Sequence, residues 1–91
     1  MRIEQKPKFK KKYKKLHDNQ RKDVNKAIEA VINNTDIGQQ KIGDLDWLRV
    51  YKFKMVGQLT LLGYYVEPNG DIVLTFVDFG PHENFYRDLK K

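Results

Sequence analysis

The 91-residue chain has no cysteine. Disulfides, thiolate chemistry and zinc sites built on Cys ligands are therefore excluded. Histidine is scarce: His17 and His82 are the only two. Carboxylates are few and scattered. Asp44 and Asp46 form one close pair, but they lie in a polar stretch that suits turn residues. A metal-dependent site has little to be built from, and no metal or cofactor is expected. No apolar run approaches the roughly 20 residues that span a bilayer, and the basic N-terminus lacks the apolar segment of a signal peptide. These features lead us to expect a protein of the reducing cytoplasm with no membrane attachment. The length suits one domain, residues 1–91.

What the chain does have is positive charge, unevenly placed. Residues 1–26 hold eleven basic groups and three acidic ones, a balance of +8; the rest holds seven and nine, a balance of −2. A concentrated positive surface attracts polyanions. It also suits an acidic protein or anionic lipid, or a merely solvated helix face. Hydrophobic residues make up 40% of the chain, enough for one small core.

The patterning predicts β-α-α-β-β-β-α. Residues 1–6 form a short strand, and Pro7 suits a helix start. Phe9, Tyr13 and Leu16 make a narrow helical stripe among lysines. Asp18 suits the N-cap of a second helix, whose apolar face is Val24, Ala27, Ile28 and Val31. Residues 36–46 read as a loop. Strands follow at Trp47–Met55, Leu59–Val66 and Ile72–Phe79, with turns at Val56-Gly57 and at Asn69-Gly70, the latter a strong hairpin signal. After Gly80-Pro81 the tail His82–Lys91 suits a short helix. The expected class is α+β: two N-terminal helices packed on an antiparallel sheet, with a short C-terminal helix. In the first long strand Trp47, Arg49, Tyr51, Phe53 and Met55 share one side, and Leu48, Val50, Lys52 and Lys54 the other. Taken alone, the cations among them read as ordinary exposed strand residues. Trp47 is expected in the core.

Three segments then resemble the RelE/ParE superfamily of bacterial type II toxins: the opening strand with its FKKKYKKL helix, the central IGDLDWLRVYKFKMVGQLTLLGYY, and the closing GPHENFYRDLK. The resemblance spans nearly the whole chain. It implies the same α+β fold and one of two activities. RelE-like members cut messenger RNA in the ribosomal A site; ParE-like members inhibit DNA gyrase. Both imply a cognate antitoxin as partner, with ribosome and mRNA, or gyrase, as target.

A metal-free ribonuclease needs a base for the 2′-hydroxyl, cations for the crowded phosphate and an acid for the leaving 5′-oxygen. The resemblance directs this chemistry to His82, since imidazole ordinarily titrates near pH ~6.5. Tyr86 is one helical turn further on, able to bond a phosphate or stack on a base. Arg49, Lys52 and Lys54 complete the expected catalytic set as phosphate-holding cations. Arg87 is a further phosphate contact, and Lys10, Lys11, Lys12, Lys14 and Lys15 would grip RNA backbone. Phe85 is assigned to the core and Glu83 to the surface. The chain departs from RelE-like members at the start of the second hairpin strand. Gln58-Leu59-Thr60-Leu61 carries no arginine there.

Overall fold

A computed structural model describes residues 1–89. β1 (Arg2–Gln5) leads into α1 (Pro7–Lys14) and α2 (Asp18–Asn33). A two-residue β2 (Gln39–Gln40) and a 3-10 turn (Gly43–Leu45) precede β3 (Arg49–Met55), β4 (Gln58–Asn69), β5 (Asp71–Gly80) and α3 (His82–Leu89). The sheet order is β1-β5-β4-β3-β2. β1 lies parallel to β5 because the α1–α2 hairpin intervenes, while the hairpin-linked strands run antiparallel. The expected α+β class holds. The last two residues of the expected tail helix, 90 and 91, lie outside the described residues.

α1 and α2 cover one face of the sheet. Phe9 is fully buried there, with its ring 5.7 Å from Phe76 and 5.1 Å from Phe79. Val24, Ala27 and Val31 bring the face of α2 onto Leu62, Tyr64 and Leu74. Burying one such phenyl ring stabilises by roughly 2–3 kcal/mol. The narrow stripe of α1 therefore suffices to dock it. A second, smaller cluster lies on the opposite face: Leu45, Leu48, Val50 and Leu61 under Phe85 of α3.

Three local expectations change. His17, not Asp18, is the N-cap of α2; Gln20 Oε1 accepts its backbone N–H at 2.8 Å. Asp18 becomes the first helical residue, where a carboxylate meets the positive end of the helix. The stretch 36–46 contains β2 and the 3-10 turn rather than loop alone. Trp47 lies outside β3 and is 45% exposed, so it is not core. The turn Leu45–Leu48 explains this: Leu48 N–H bonds Leu45 O at 3.0 Å, and both leucines point inward, leaving Trp47 outside against Tyr65 at 5.8 Å.

The β3–β4 turn has two consecutive positive φ angles, Val56 at 50° and Gly57 at 79°, as tight hairpin twist requires. A β-branched residue resists that conformation. Here the Asp23 carboxylate of α2 accepts the Val56 N–H at 2.7 Å and holds it.

Candidate functional site

The site begins with the docking of α3. Pro81 cannot continue β5 and suits a helix start; its carbonyl accepts the N–H groups of Asn84 and Phe85 at 3.2 and 3.1 Å. Phe85 then packs directly over Gly63 of β4. A methyl group there would sit 2.6 Å from the phenyl ring, so only glycine leaves the seat open. With Phe85 inward, helical geometry places His82 and Tyr86 together one turn apart. Their rings are 5.3 Å apart at 75°. His82 is exposed and Tyr86 half-buried.

A cation reaches Tyr86 from far away in sequence. Lys41 follows β2, and its N–H bonds Leu48 O at 2.9 Å, which fixes its backbone beside β3. Its ammonium lies 5.2 Å from the Tyr86 ring centroid. Tyr86 and the 41–45 segment line an open pocket of about 470 Å³. No feature of the sequence marked Lys41: it is a single lysine in a polar stretch, 45 residues from Tyr86.

The strand cations divide by parity. Val50, Lys52 and Lys54 face the α3 side, where their partners across β4 are Gly63, Leu61 and Leu59. Leu61 in turn pairs with Gly80. Lys52 therefore stands two strand spacings, about 10 Å, from the residue that leads into α3. Both lysines are exposed. Among the described residues, neither has a carboxylate within ion-pair distance.

Arg49 lies on the other face. Its Nη1 donates to Gly38 O at 2.8 Å and to Asp36 O at 3.3 Å, and its Nη2 is 3.4 Å from the Asp36 carboxylate. Its strand partner Tyr64 completes this latch. Tyr64 donates to Thr35 O at 2.7 Å and accepts the Gly38 N–H at 2.9 Å. Burial pushes the Tyr64 phenol pKa up, against the lowering effects of the Gly38 N–H and Arg49. Arg49 thus holds the 35–38 loop and stands apart from the expected catalytic set.

The lysines of α1 also divide. Lys12 Nζ lies 2.8 Å from the buried Asp78 carboxylate and donates to Phe79 O at 3.0 Å. Lys8 adds a second ammonium at 3.4 Å, while Asp78 accepts the Phe79 N–H at 2.8 Å. Lys12 is thus a tether between α1 and β5. Lys10, Lys11 and Lys14 are exposed on α1, and Lys15 is exposed just beyond its end. Arg87 is exposed on α3; it donates to Asn84 at 2.8 Å and lies 3.9 Å from Asp88.

A larger cleft of about 620 Å³ lies at the β1 edge, among Glu4, Lys6, Lys10, Tyr65 and Glu67. Its two lysines face two carboxylates, so it has no net preference for an anion. Among the described residues, no three His, Asp or Glu side chains gather as metal ligands, and no helix is long and apolar enough to cross a membrane.

Comparison with known proteins agrees with this architecture. No curated protein matches the chain. The crystal structure of the intact E. coli RelBE toxin-antitoxin complex contains a chain of the same fold. It has a TM-score of 0.68 and 19% identity, and the match covers 88% of this chain and 94% of that one. The family model for the ParE-like toxin of type II bacterial toxin-antitoxin systems matches residues 3–90. With that match spanning nearly its whole length, the chain belongs to the ParE-like toxins of type II bacterial toxin-antitoxin systems.

Proposed function

We propose that this toxin is a metal-free, ribosome-dependent mRNA endonuclease that stops translation and is neutralised by a cognate antitoxin. The observation that carries the reading is the His82–Tyr86 pair, 5.3 Å ring to ring, on the sheet face that also bears Lys52 and Lys54. A base, a phenolic donor and unpaired cations are what 2′-hydroxyl attack requires.

In this mechanism His82 takes the proton from the 2′-hydroxyl. The 2′-oxygen attacks the adjacent phosphorus and the P–O5′ bond breaks. Tyr86 gives its phenolic proton to the departing 5′-oxygen. The products are a 2′,3′-cyclic phosphate and a 5′-hydroxyl, with no water consumed. Lys52 and Lys54 neutralise phosphates of the message, and the exposed lysines of α1 add sequence-independent affinity for ribosomal RNA.

The test is cleavage of message on purified ribosomes, mapped by primer extension. His82→Ala and Tyr86→Phe are each expected to slow cleavage by about 10²–10⁴-fold. Parent-like rates in both variants would sink the assignment.

A second reading is non-catalytic inhibition of DNA gyrase. Two observations favour it: the match to a ParE-like family model, and a β4 that begins Gln58-Leu59-Thr60-Leu61 without a cation. Inhibition of supercoiling by protein that leaves ribosome-bound message intact would select it.

A further inference from the structure

We propose that Lys41 is the cation of the His82–Tyr86 site, holding a non-bridging oxygen of the RNA phosphodiester presented to those two rings. The inference rests on the nuclease reading for its substrate and on geometry for its residue.

The other candidate cations are engaged in the fold or stand further off. Arg49 faces away and holds Gly38 and Asp36. Lys12 is held by Asp78 and Phe79. Arg87 is engaged by Asn84 on its own helix. β4 offers no cation between Gln58 and Leu61. Lys52 enters from two strands away.

Lys41 is already in place. Its backbone is bonded to Leu48, and the preceding Gln40 side chain donates to Leu48 O at 3.3 Å. Its ammonium rests 5.2 Å from the Tyr86 ring centroid. An aromatic face attracts an ammonium without accepting its N–H groups as a carboxylate would, so the donors stay available to an anion. Asp44 shares the pocket rim, yet no described carboxylate lies within ion-pair distance of Lys41. A cation held by packing and short of acceptors is preorganised for a phosphate.

The test uses the full chain and a 2′-deoxy dinucleoside monophosphate, a phosphodiester that this mechanism cannot cleave. NMR titration follows the His82 and Tyr86 ring signals. Wild-type protein is expected to show saturable shifts of both. Lys41→Met keeps an unbranched side chain without the charge and is expected to bind about 10- to 100-fold more weakly. Lys41→Arg should restore binding to within about threefold of wild type, since it returns the charged donors. Lys22→Met, on exposed α2 surface, removes the same unit of charge and should leave binding unchanged. Equal binding by wild type and Lys41→Met, equal weakening by Lys22→Met, or no shift of either ring in wild type overturns the proposal. Ribosomal cleavage assays on the same proteins separate the two layers. Lys41-dependent binding without cleavage would uphold the anion site and remove the nuclease reading. Cleavage with no dependence on Lys41 would do the reverse.

Discussion

Arg49 and Lys52 stand three residues apart on β3, and the pleat turns them to opposite faces of the sheet. On the face under α1 and α2, the Arg49 guanidinium meets two backbone carbonyls and a carboxylate. On the face under α3, Lys52 and Lys54 have no described acidic partner, and Lys41 rests on a ring. Within α1 itself, Lys12 is held by Asp78 while its neighbour Lys11 is exposed. Two helices close the first face and commit its cations to the fold. One short helix with a single buried side chain, Phe85, leaves the second face partly open and its cations free for a ligand.

The largest expected effect tests whether the faces are energetically distinct. Phe9→Ala should cost about 3–5 kcal/mol and shift the whole urea transition. Phe85→Ala removes the same side chain, but α3 can undock while the sheet stays folded, which caps the loss at the docking free energy of that helix. Its signature should be faster amide exchange confined to α3. If Phe85→Ala lowers global stability as much as Phe9→Ala, the two faces form one cooperative unit and the comparison fails.

A smaller effect sharpens the contrast between cations. Arg49→Met and Lys12→Met should each lower stability by about 1–3 kcal/mol, because the acceptors of buried Gly38 and Asp78 lose charged donors. Lys52→Met and Lys54→Met should stay within about 0.5 kcal/mol, as exposed substitutions do. Urea denaturation at equal ionic strength measures all four. A loss of more than about 1 kcal/mol on removing Lys52 would make it a structural residue.

The smallest effect concerns the latch on the closed face. The Tyr64 pKa is raised above its ordinary value of 10.0, mainly by burial. Below pH 10 the phenol is protonated in both folded and unfolded chains, and its contribution is intact. Above that, the unfolded chain ionises first, so native stability falls as pH rises. Tyr64→Phe should flatten this alkaline decline while lowering stability at neutral pH, since the Gly38 N–H loses its acceptor. An unchanged alkaline slope, read by denaturation between pH 9 and 11, would show that the phenol is not the responsible group.

Much of the fold was legible in the sequence. Phe9, Val24, Ala27 and Val31 were identified by helical spacing, and the turns at Val56-Gly57 and Asn69-Gly70 by turn chemistry. The proximity of His82 and Tyr86 followed from their spacing of four on a helix. Alternation alone extends β3 back over Trp47, which lies in the turn between the 3-10 segment and the strand. Asp18 has the residue type of a cap, whereas Gln20 pairs with His17 instead. The loss of Arg49 and Lys12 to structural partners could not be read at all: Asp36, Gly38 and Asp78 are 11 to 66 residues distant in sequence.

The sequence by itself determined the helices, the strand alternation and the tight turns. Each depends on side chains spaced a few residues apart, and the geometry of a helix or strand converts that spacing directly into a face. Only the tertiary structure decided which positive charges are tied down and which remain open. That outcome depends on strand order, on the parallel pairing of β1 with β5 and on the seating of Phe85 over Gly63. These bring Asp78 to Lys12, Gly38 to Arg49 and Lys41 to Tyr86 across distances that a local pattern does not encode.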